Sequence, residues 1–206
     1  MSWFGRVAVT DYAIGVAADS EFDTVEDLQN ADEVDFAVNS SSTTAGINTI
    51  ISSSVMDINA NVVTGFEGTP GSVSAVLGGD VDARVDVFDS LEPYVRDGEM
   101  KLIAALSDEP PEYASDTPTA IDVGYDELAG AVSLQWMLGG PPGMDETIVE
   151  TLEEAFLSAA ATDEMQQTLE ESDRTLAPAG RDETVEQFEQ TVATFGEFRD
   201  ILEEEL

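Results

Sequence analysis

The spacing of apolar positions changes repeatedly along the chain, and each change marks an element boundary. Residues 7–18 alternate apolar and small, with Val7, Val9, Ile14 and Val16, and predict a strand. Thr24 and Asp27 stand three apart ahead of Leu28, the spacing of a capping box, which predicts a short helix. Residues 34–38 predict a second strand, and Ile47, Ile50, Ile51 and Val55 then recur at helical spacing. Residues 58–64 predict a strand. Pro70 after Thr69 predicts a first helical turn capped by Thr69. Val73, Val76 and Leu77 carry that helix to a stop at Gly78 and Gly79. A strand over 81–87, a helix through Leu91 and Val95 to Gly98, and a strand over 101–106 follow.

The second half opens with a Pro-, Asp- and Ser-rich loop over 107–118. A strand over 132–138 is broken by Gly139-Gly140-Pro141-Pro142-Gly143. Asp145 then caps a helix with Ile148, Leu152, Phe156 and Leu157 on one face. Two more helices are expected over 163–172 and 181–204. The last carries Val185, Phe188, Val192, Phe195, Phe198 and Leu202 near helical period, with acids opposite. Strand and helix alternate throughout, so the class is α/β with a largely parallel sheet.

Composition changes this picture mainly at the surface. The chain has 206 residues and is 42% hydrophobic, which favours a folded protein. Asp and Glu number 44 against 7 Lys and Arg, a net charge of −37, and Lys101 is the sole lysine. The acids punctuate apolar segments from end to end instead of forming a tail, so the fold carries strong self-repulsion. In molar salt the Debye length falls to about 3 Å and most of that repulsion is screened. An acid-rich, lysine-poor surface on an ordinary globular pattern resembles a protein of an extreme halophile. No basic patch is present to release counterions, so neither nucleic acid nor an anionic membrane is an expected partner.

The chain has no cysteine and no histidine, which removes disulfides, thiolate nucleophiles, histidine bases and His/Cys metal sites. Oxygen-ligated Ca²⁺ or Mg²⁺ stays possible in principle. EF-hand, Walker A and GxGxxG patterns are absent. A carboxylate pair is the enzyme alternative, but 44 acids make close pairs a matter of chance and no pair is marked out. The expectation is therefore no enzyme, no catalytic residue, no metal ligand and no cofactor. No apolar run approaches the ~20 residues of a membrane span. The first six residues lack a secretory signal's apolar stretch, so no signal or anchor and no direct membrane insertion are expected.

One stretch departs from the acidic average. Between Phe36 and Gly79 the acids are Asp57 and Glu67, where an even spread would place roughly nine. Burial accounts for the apolar positions, since a core segment does not carry unpaired charge. It does not account for Ser40, Ser41, Ser42, Thr43 and Thr44, five hydroxyls between a strand and a helix. A helix N-terminus offers unpaired N–H groups and a partial positive charge, and hydroxyl donors beside it make a site for a carboxylate. Plain N-capping is the alternative reading of the same residues. The loop over 65–71 repeats the arrangement at the next strand-to-helix junction, beyond the carboxyl ends of strands where α/β sheets bind ligands.

These segments resemble the substrate-binding proteins of tripartite tricarboxylate transporters, the Bug family. Residues 12–28 look like the family's crossover strand and following helix, and residues 39–44 stand at its ligand loop. Gly65-Phe66-Glu67-Gly68, then Leu77-Gly78-Gly79-Asp80-Val81-Asp82, resemble its aromatic-x-Gly and Leu-x-Gly-x-Val-Asp pattern. Asp86, Gly98, residues 101–106, Thr117-Pro118-Thr119 with Gly124, and Pro141-Pro142-Gly143 with Ile148 and Leu152 keep its order. Trp136 falls one position from a frequent family tryptophan, so no ligand role is expected for it.

The resemblance implies a periplasmic-binding-protein type II-like, two-domain Venus-flytrap fold that closes on a small carboxylate, di- or tricarboxylate-like. It implies membrane permease subunits as partners and an extracellular or cell-surface location. It nominates Ser40, Ser41, Ser42, Thr43 and Thr44 in one ligand loop, Phe66, Gly68 and Thr69 in a second, and Asp86, for which a structural role stays open. It also implies that the first half of domain one is missing ahead of Met1. On that view residues 1–16 are the crossover strand and a remnant of domain one. Residues 17–106 are the second domain with the ligand loops, and 107–206 a return segment with helices that pack on domain one. A non-binding truncated fragment and the ligand-sensing domain of a regulator are the alternatives.

Overall fold

The computed structural model describes residues 1–129, 133–170 and 176–205. In chain order the elements are β1 (Ser2–Thr10), β2 (Tyr12–Ala17), α1 (Val25–Asn30), β3 (Val34–Ala37), α2 (Thr44–Val55), β4 (Ala60–Val63), α3 (Gly68–Leu77), β5 (Ala83–Val87), α4 (Phe88–Arg96) and β6 (Met100–Ala105). There follow β7 (Leu134–Gly140), α5 (Glu146–Ala160), α6 (Asp163–Glu170), β8 (Leu176–Ala179), α7 (Arg181–Glu197) and α8 (Arg199–Glu205). The chain forms two compact units. One holds Met1–Thr10 with Ser133–Thr194, the other Asp11–Val132 with Phe195–Leu206.

The first unit is built on an antiparallel sheet in the order β7-β1-β8. The buried Arg6 ties it together, donating to the Ala177 carbonyl at 3.0 Å and to Glu183 at 3.0 Å. The strand expected over 132–138 does not break at the glycines. It runs on through Gly139 and Gly140, paired with Trp3 and Ser2, and the Trp3 ring occupies the space a Cβ at Gly139 would need. Val132 lies outside the described residues, as do 171–172 of the helix expected over 163–172. Asp145 caps α5, accepting from the Thr147 N–H at 3.0 Å. The apolar stripe that α5 buries is the expected one only in part: Phe156 lies against Gly5 as expected, but Val149 and Ala160 are buried with it while Ile148, Leu152 and Leu157 stay exposed. Two stripes one residue apart both satisfy helical spacing, and the pattern alone does not choose between them. The helix expected over 181–204 is two helices, α7 and α8, parted at Phe198, which is buried.

The second unit holds a five-stranded sheet in the order β4-β3-β5-β2-β6. β3 is parallel to β4 and β5, whereas β2 is antiparallel to β5 and β6. The sheet is thus mixed where the sequence suggested largely parallel pairing. Alternation of strand and helix fixes direction only for strands joined by crossovers within one sheet, and β2 enters this sheet from β1. The segment over 7–18, expected as one strand, is β1 and β2. Asp11 between them interrupts the apolar run, and its carbonyl accepts the Phe88 N–H at 2.9 Å.

The core of this unit lies on both faces of β5, all five of whose residues are buried. Phe36, Ile14, Leu28, Ile51, Leu91 and Ile103 are fully enclosed around it. Each such side chain contributes about 1.5–3 kcal/mol relative to exposure. The capping box of α1 forms as its spacing predicts: Thr24 Oγ1 accepts from the Asp27 N–H at 3.1 Å, and Asp27 Oδ2 accepts from the Thr24 N–H at 2.8 Å. Helix α3 stops at Gly78, and Gly79 takes φ +71°, the left-handed conformation that closes a Schellman motif from the Asp80 N–H to the Ala75 carbonyl at 2.9 Å.

Candidate functional site

Two strand-to-helix junctions lie side by side in the second unit. β3 and β4 are parallel neighbours from Val34 opposite Ala60 to Ala37 opposite Val63, so both end at the same edge of the sheet. Pairing continues past the strands, with the Val38 N–H on the Val63 carbonyl at 2.9 Å and the Gly65 N–H on the Asn39 carbonyl at 3.3 Å. Crossovers of this kind are right-handed. β3–α2–β4 and β4–α3–β5 step across the sheet in opposite directions, which places α2 and α3 on opposite faces. The two loops therefore diverge from adjacent strands, the geometry that opens a crevice at the carboxyl ends of an α/β sheet.

The first loop holds Ser40, Ser41, Ser42, Thr43 and Thr44 at the N-terminus of α2. Thr43 is the N-cap: its hydroxyl accepts the Gly46 N–H at 3.2 Å and donates to the Ser40 carbonyl at 2.7 Å. Ser40 and Ser42 hydroxyls pair at 3.0 Å. The Thr44 side chain lies near the Tyr12 phenol. Capping thus uses one hydroxyl of the five. The turn is tight enough that a Cβ at Gly46 would meet the Ser40 and Ser41 backbone. Inside α2 the buried hydroxyls of Ser52 and Ser53 return to the Asn48 and Thr49 carbonyls at 2.6 Å, so both are satisfied within the helix.

The second loop leads into α3, whose N-cap is Glu67, not Thr69 as its sequence suggested, and no side chain caps the helix. Thr69 is the second helical residue and Pro70 the third. The Thr69 hydroxyl is engaged elsewhere, donating to Asp86 Oδ2 at 3.3 Å. Gly68 opens the helix, and Phe66 packs half-buried against the cluster containing Val73, Val76 and Leu91.

Asp86 ties the second loop to β5. Side chains two apart on a strand share a face, so Asp86 and Arg84 project together from β5. Both are buried, and Arg84 forms an ion pair with Asp86 Oδ2. The same guanidinium donates to the Ser72 hydroxyl, which itself donates to the Gly68 and Thr69 carbonyls at 3.1 Å each. The Val87 N–H donates to Asp86 Oδ1 at 2.8 Å. On the opposite face Tyr12, paired with Val87, lies beneath the first loop. Burial pushes the Tyr12 phenol upward, the Asp86 charge pushes it further, and the nearby Thr44 hydroxyl opposes both. Arg84, Asp86, Ser72 and Thr69 thus form one polar cluster under the N-terminus of α3.

The nominated residues therefore converge on one edge of one unit. Sequence reasoning did not single out Tyr12, Ser72 or Arg84. A signal for Arg84 was present: it is the sole Lys or Arg between Arg6 and Arg96, and it sits inside an apolar strand two residues from an aspartate. Such a cation is buried only with a partner. Among the described residues, no group of acids is disposed to hold a metal ion, and no helix is long and apolar enough to cross a membrane.

The sequence profile of the tripartite tricarboxylate transporter family receptor, TctC, matches residues 6–197. The chain belongs to this family of transporter receptors. No functionally curated protein matches it in sequence. Among solved structures it is similar to a TctC solute-binding protein from Polaromonas, at 17% identity and a TM-score of 0.79, with 99% of this chain and 69% of that one covered. It is also similar to an adipate-bound protein of R. palustris, at 17% identity and a TM-score of 0.76, covering 98% and 69%. MatC from Rhodopseudomonas palustris with bound malate aligns at 17% identity and a TM-score of 0.75, again covering 98% and 69%. The two-sheet α/β architecture is that of the periplasmic binding proteins.

Proposed function

We propose that this receptor captures a small carboxylate, di- or tricarboxylate-like, outside the cytoplasm and delivers it to the membrane permease subunits of a tripartite tricarboxylate transporter. The observation that carries this reading is the pair of adjacent helix N-termini at the ends of β3 and β4. They add N–H groups and partial positive charge to a loop with five hydroxyls in an otherwise acid-dense chain. Ser40, Ser41, Ser42, Thr43 and Thr44 form one wall of the site on this reading, Phe66, Gly68 and Thr69 the other. Asp86 lies beneath them. Residues 17–106 are the ligand-carrying domain. Malate and adipate in related structures are the first ligands to try. The net charge of −37 with one lysine supports a protein that works in concentrated salt, where the Debye length is about 3 Å or less.

The test is a thermal-shift and calorimetric titration in concentrated KCl against malate, adipate, citrate, amino acids and sugars. A carboxylate that binds the folded state raises Tm as its concentration passes Kd. That rise is expected, and it should vanish in Ser41→Asp/Thr43→Asp, which sets two negative charges at the helix N-terminus. A cooperative melt that no carboxylate shifts would overturn the reading.

A further inference from the structure

The cluster beneath α3 has an electrostatic feature that a purely structural role does not require. Arg84 is 2% exposed, and its guanidinium lies under the first turn of α3, bonded to Ser72 and to Asp86. Its Nε is buried without a hydrogen-bond partner. Burying an ion pair in a core costs about as much as it returns, and an apolar pair of similar size would serve packing at least as well. The placement matters more than the pairing. A single carboxylate at Asp86, bonded to Thr69 in the candidate ligand loop, would project negative charge toward the place where an anion is to be held.

We infer that Arg84 is a specificity-determining, positioning residue: it neutralises Asp86 from within, so that Asp86 can tie the α3 loop to β5 without repelling an anionic ligand. The inference rests on the carboxylate reading of the site. Two opposed requirements are met by one pair. The Thr69 and Val87 hydrogen bonds need an acceptor at the end of β5, and a carboxylate has the capacity to serve both. An anion at the neighbouring helix N-terminus needs that acceptor to carry no net charge. The guanidinium satisfies the second requirement while anchoring the first turn of α3 through Ser72. Because the pair is buried, salt screens it far less than the surface charges, so the effect persists at high ionic strength.

The two members of the pair consequently act with opposite sign on anion affinity. Calorimetric titration of malate and of adipate in concentrated KCl, on wild type, Asp86→Asn, Arg84→Met and the double variant, reads this directly. Asp86→Asn leaves Arg84 unbalanced and is expected to tighten binding by about five- to tenfold, in the range of a nearby charge at a partly buried site. Arg84→Met is expected to weaken it by a similar factor, and the double variant to return near wild type. Asp86→Asn is isosteric and carries the test even if Arg84→Met does not fold, as thermal melts will show. Weakening in Asp86→Asn, with the protein folded, would overturn the proposal and leave the carboxylate reading standing. Absence of any binding to folded wild type, for these and other carboxylates, would overturn both.

Discussion

Thr69 donates its hydroxyl to Asp86 Oδ2 across 3.3 Å, joining the first turn of α3 to the end of β5 over a separation of 17 residues. A threonine at the start of a helix ordinarily turns its oxygen back onto the backbone as a cap. Here the side chain reaches to a neighbouring strand instead, and α3 begins with no side-chain cap. The bond holds the second loop in register with β5.

Thr69→Val removes that donor while keeping the shape of the side chain. Asp86 retains Arg84 and the Val87 N–H, so no charge is orphaned. The expected loss is about 1 kcal/mol of stability, the net worth of one neutral-donor hydrogen bond, together with weaker carboxylate binding. Thr69→Ser keeps the hydroxyl and should restore most of the binding. Denaturant melts and malate titrations on the two variants check this, and equal behaviour of valine and serine would remove the bond from the account.

Gly46→Ala tests the tightness of the first loop. The added methyl would sit about 2.7 Å from the Ser41 Cα and collide with backbone, which cannot swing aside as a side-chain tip can. Overpacking of this kind costs about 1–3 kcal/mol. The loop must open to admit the methyl, so the variant should lose ligand response by more than its loss of stability accounts for. A variant that melts and binds like wild type would show that the turn is looser than its geometry.

How far the sequence reaches is clear from particular residues. The capping box of Thr24 and Asp27, the N-cap Asp145 and the stop at Gly78-Gly79 were legible because each is local chemistry at fixed spacing. The five hydroxyls at 40–44 stood out because the surrounding acids were missing. Arg84 was passed over because a strand's alternation says which residues share a face and not what lies opposite. Its partner Asp86 is near in sequence, but Ser72 and Thr69 meet it only through the fold. The direction of β2 was illegible for a related reason: nothing local distinguishes a strand entering from another sheet from one following a crossover. The split of residues 7–18 turned on Asp11, the one charged residue in that run.

Asp11 also gives a pH dependence. Burial first, and the Asp108 charge second, push its carboxyl up from 3.8 to about 6. The folded state then holds a proton that the unfolded state releases between about pH 4 and 6. Its contribution to stability is full below the unfolded value and is lost as pH rises through about 6. Asp11→Asn removes this loss, so the variant should gain on wild type as pH rises from 4 to 7, by about 1–2 kcal/mol after screening and partial exposure are allowed for. Asp27 and Asp122, held below the usual carboxylate range chiefly by Thr24 and Thr119, act with the opposite sign at lower pH. Denaturant melts of the pair across that range read the difference. A gap that stays constant with pH would assign Asp11 no titrating role.

Salt should govern stability more strongly than any single residue. With a net charge of −37, the compact state confines far more mutual repulsion than the expanded chain does. At about 0.1 M salt the Debye length is near 10 Å, and neighbouring surface acids still repel; at about 1 M it is near 3 Å, and they act almost alone. Tm is therefore expected to climb steeply with KCl up to about 1 M and more slowly beyond, where exclusion of salt from the surface replaces screening. The buried Arg84–Asp86 pair gains nothing from this and loses little, so the climb reports the surface. Glu150 and Glu154 are exposed on α5, and changing both to lysine removes four units of net negative charge without touching the buried stripe of Val149 and Ala160. That variant should reach the same Tm at a lower KCl concentration, with the two melting curves converging at high salt. If the variant instead needs as much salt as wild type, or if sucrose at equal osmolality reproduces the climb, charge repulsion is not what the salt relieves.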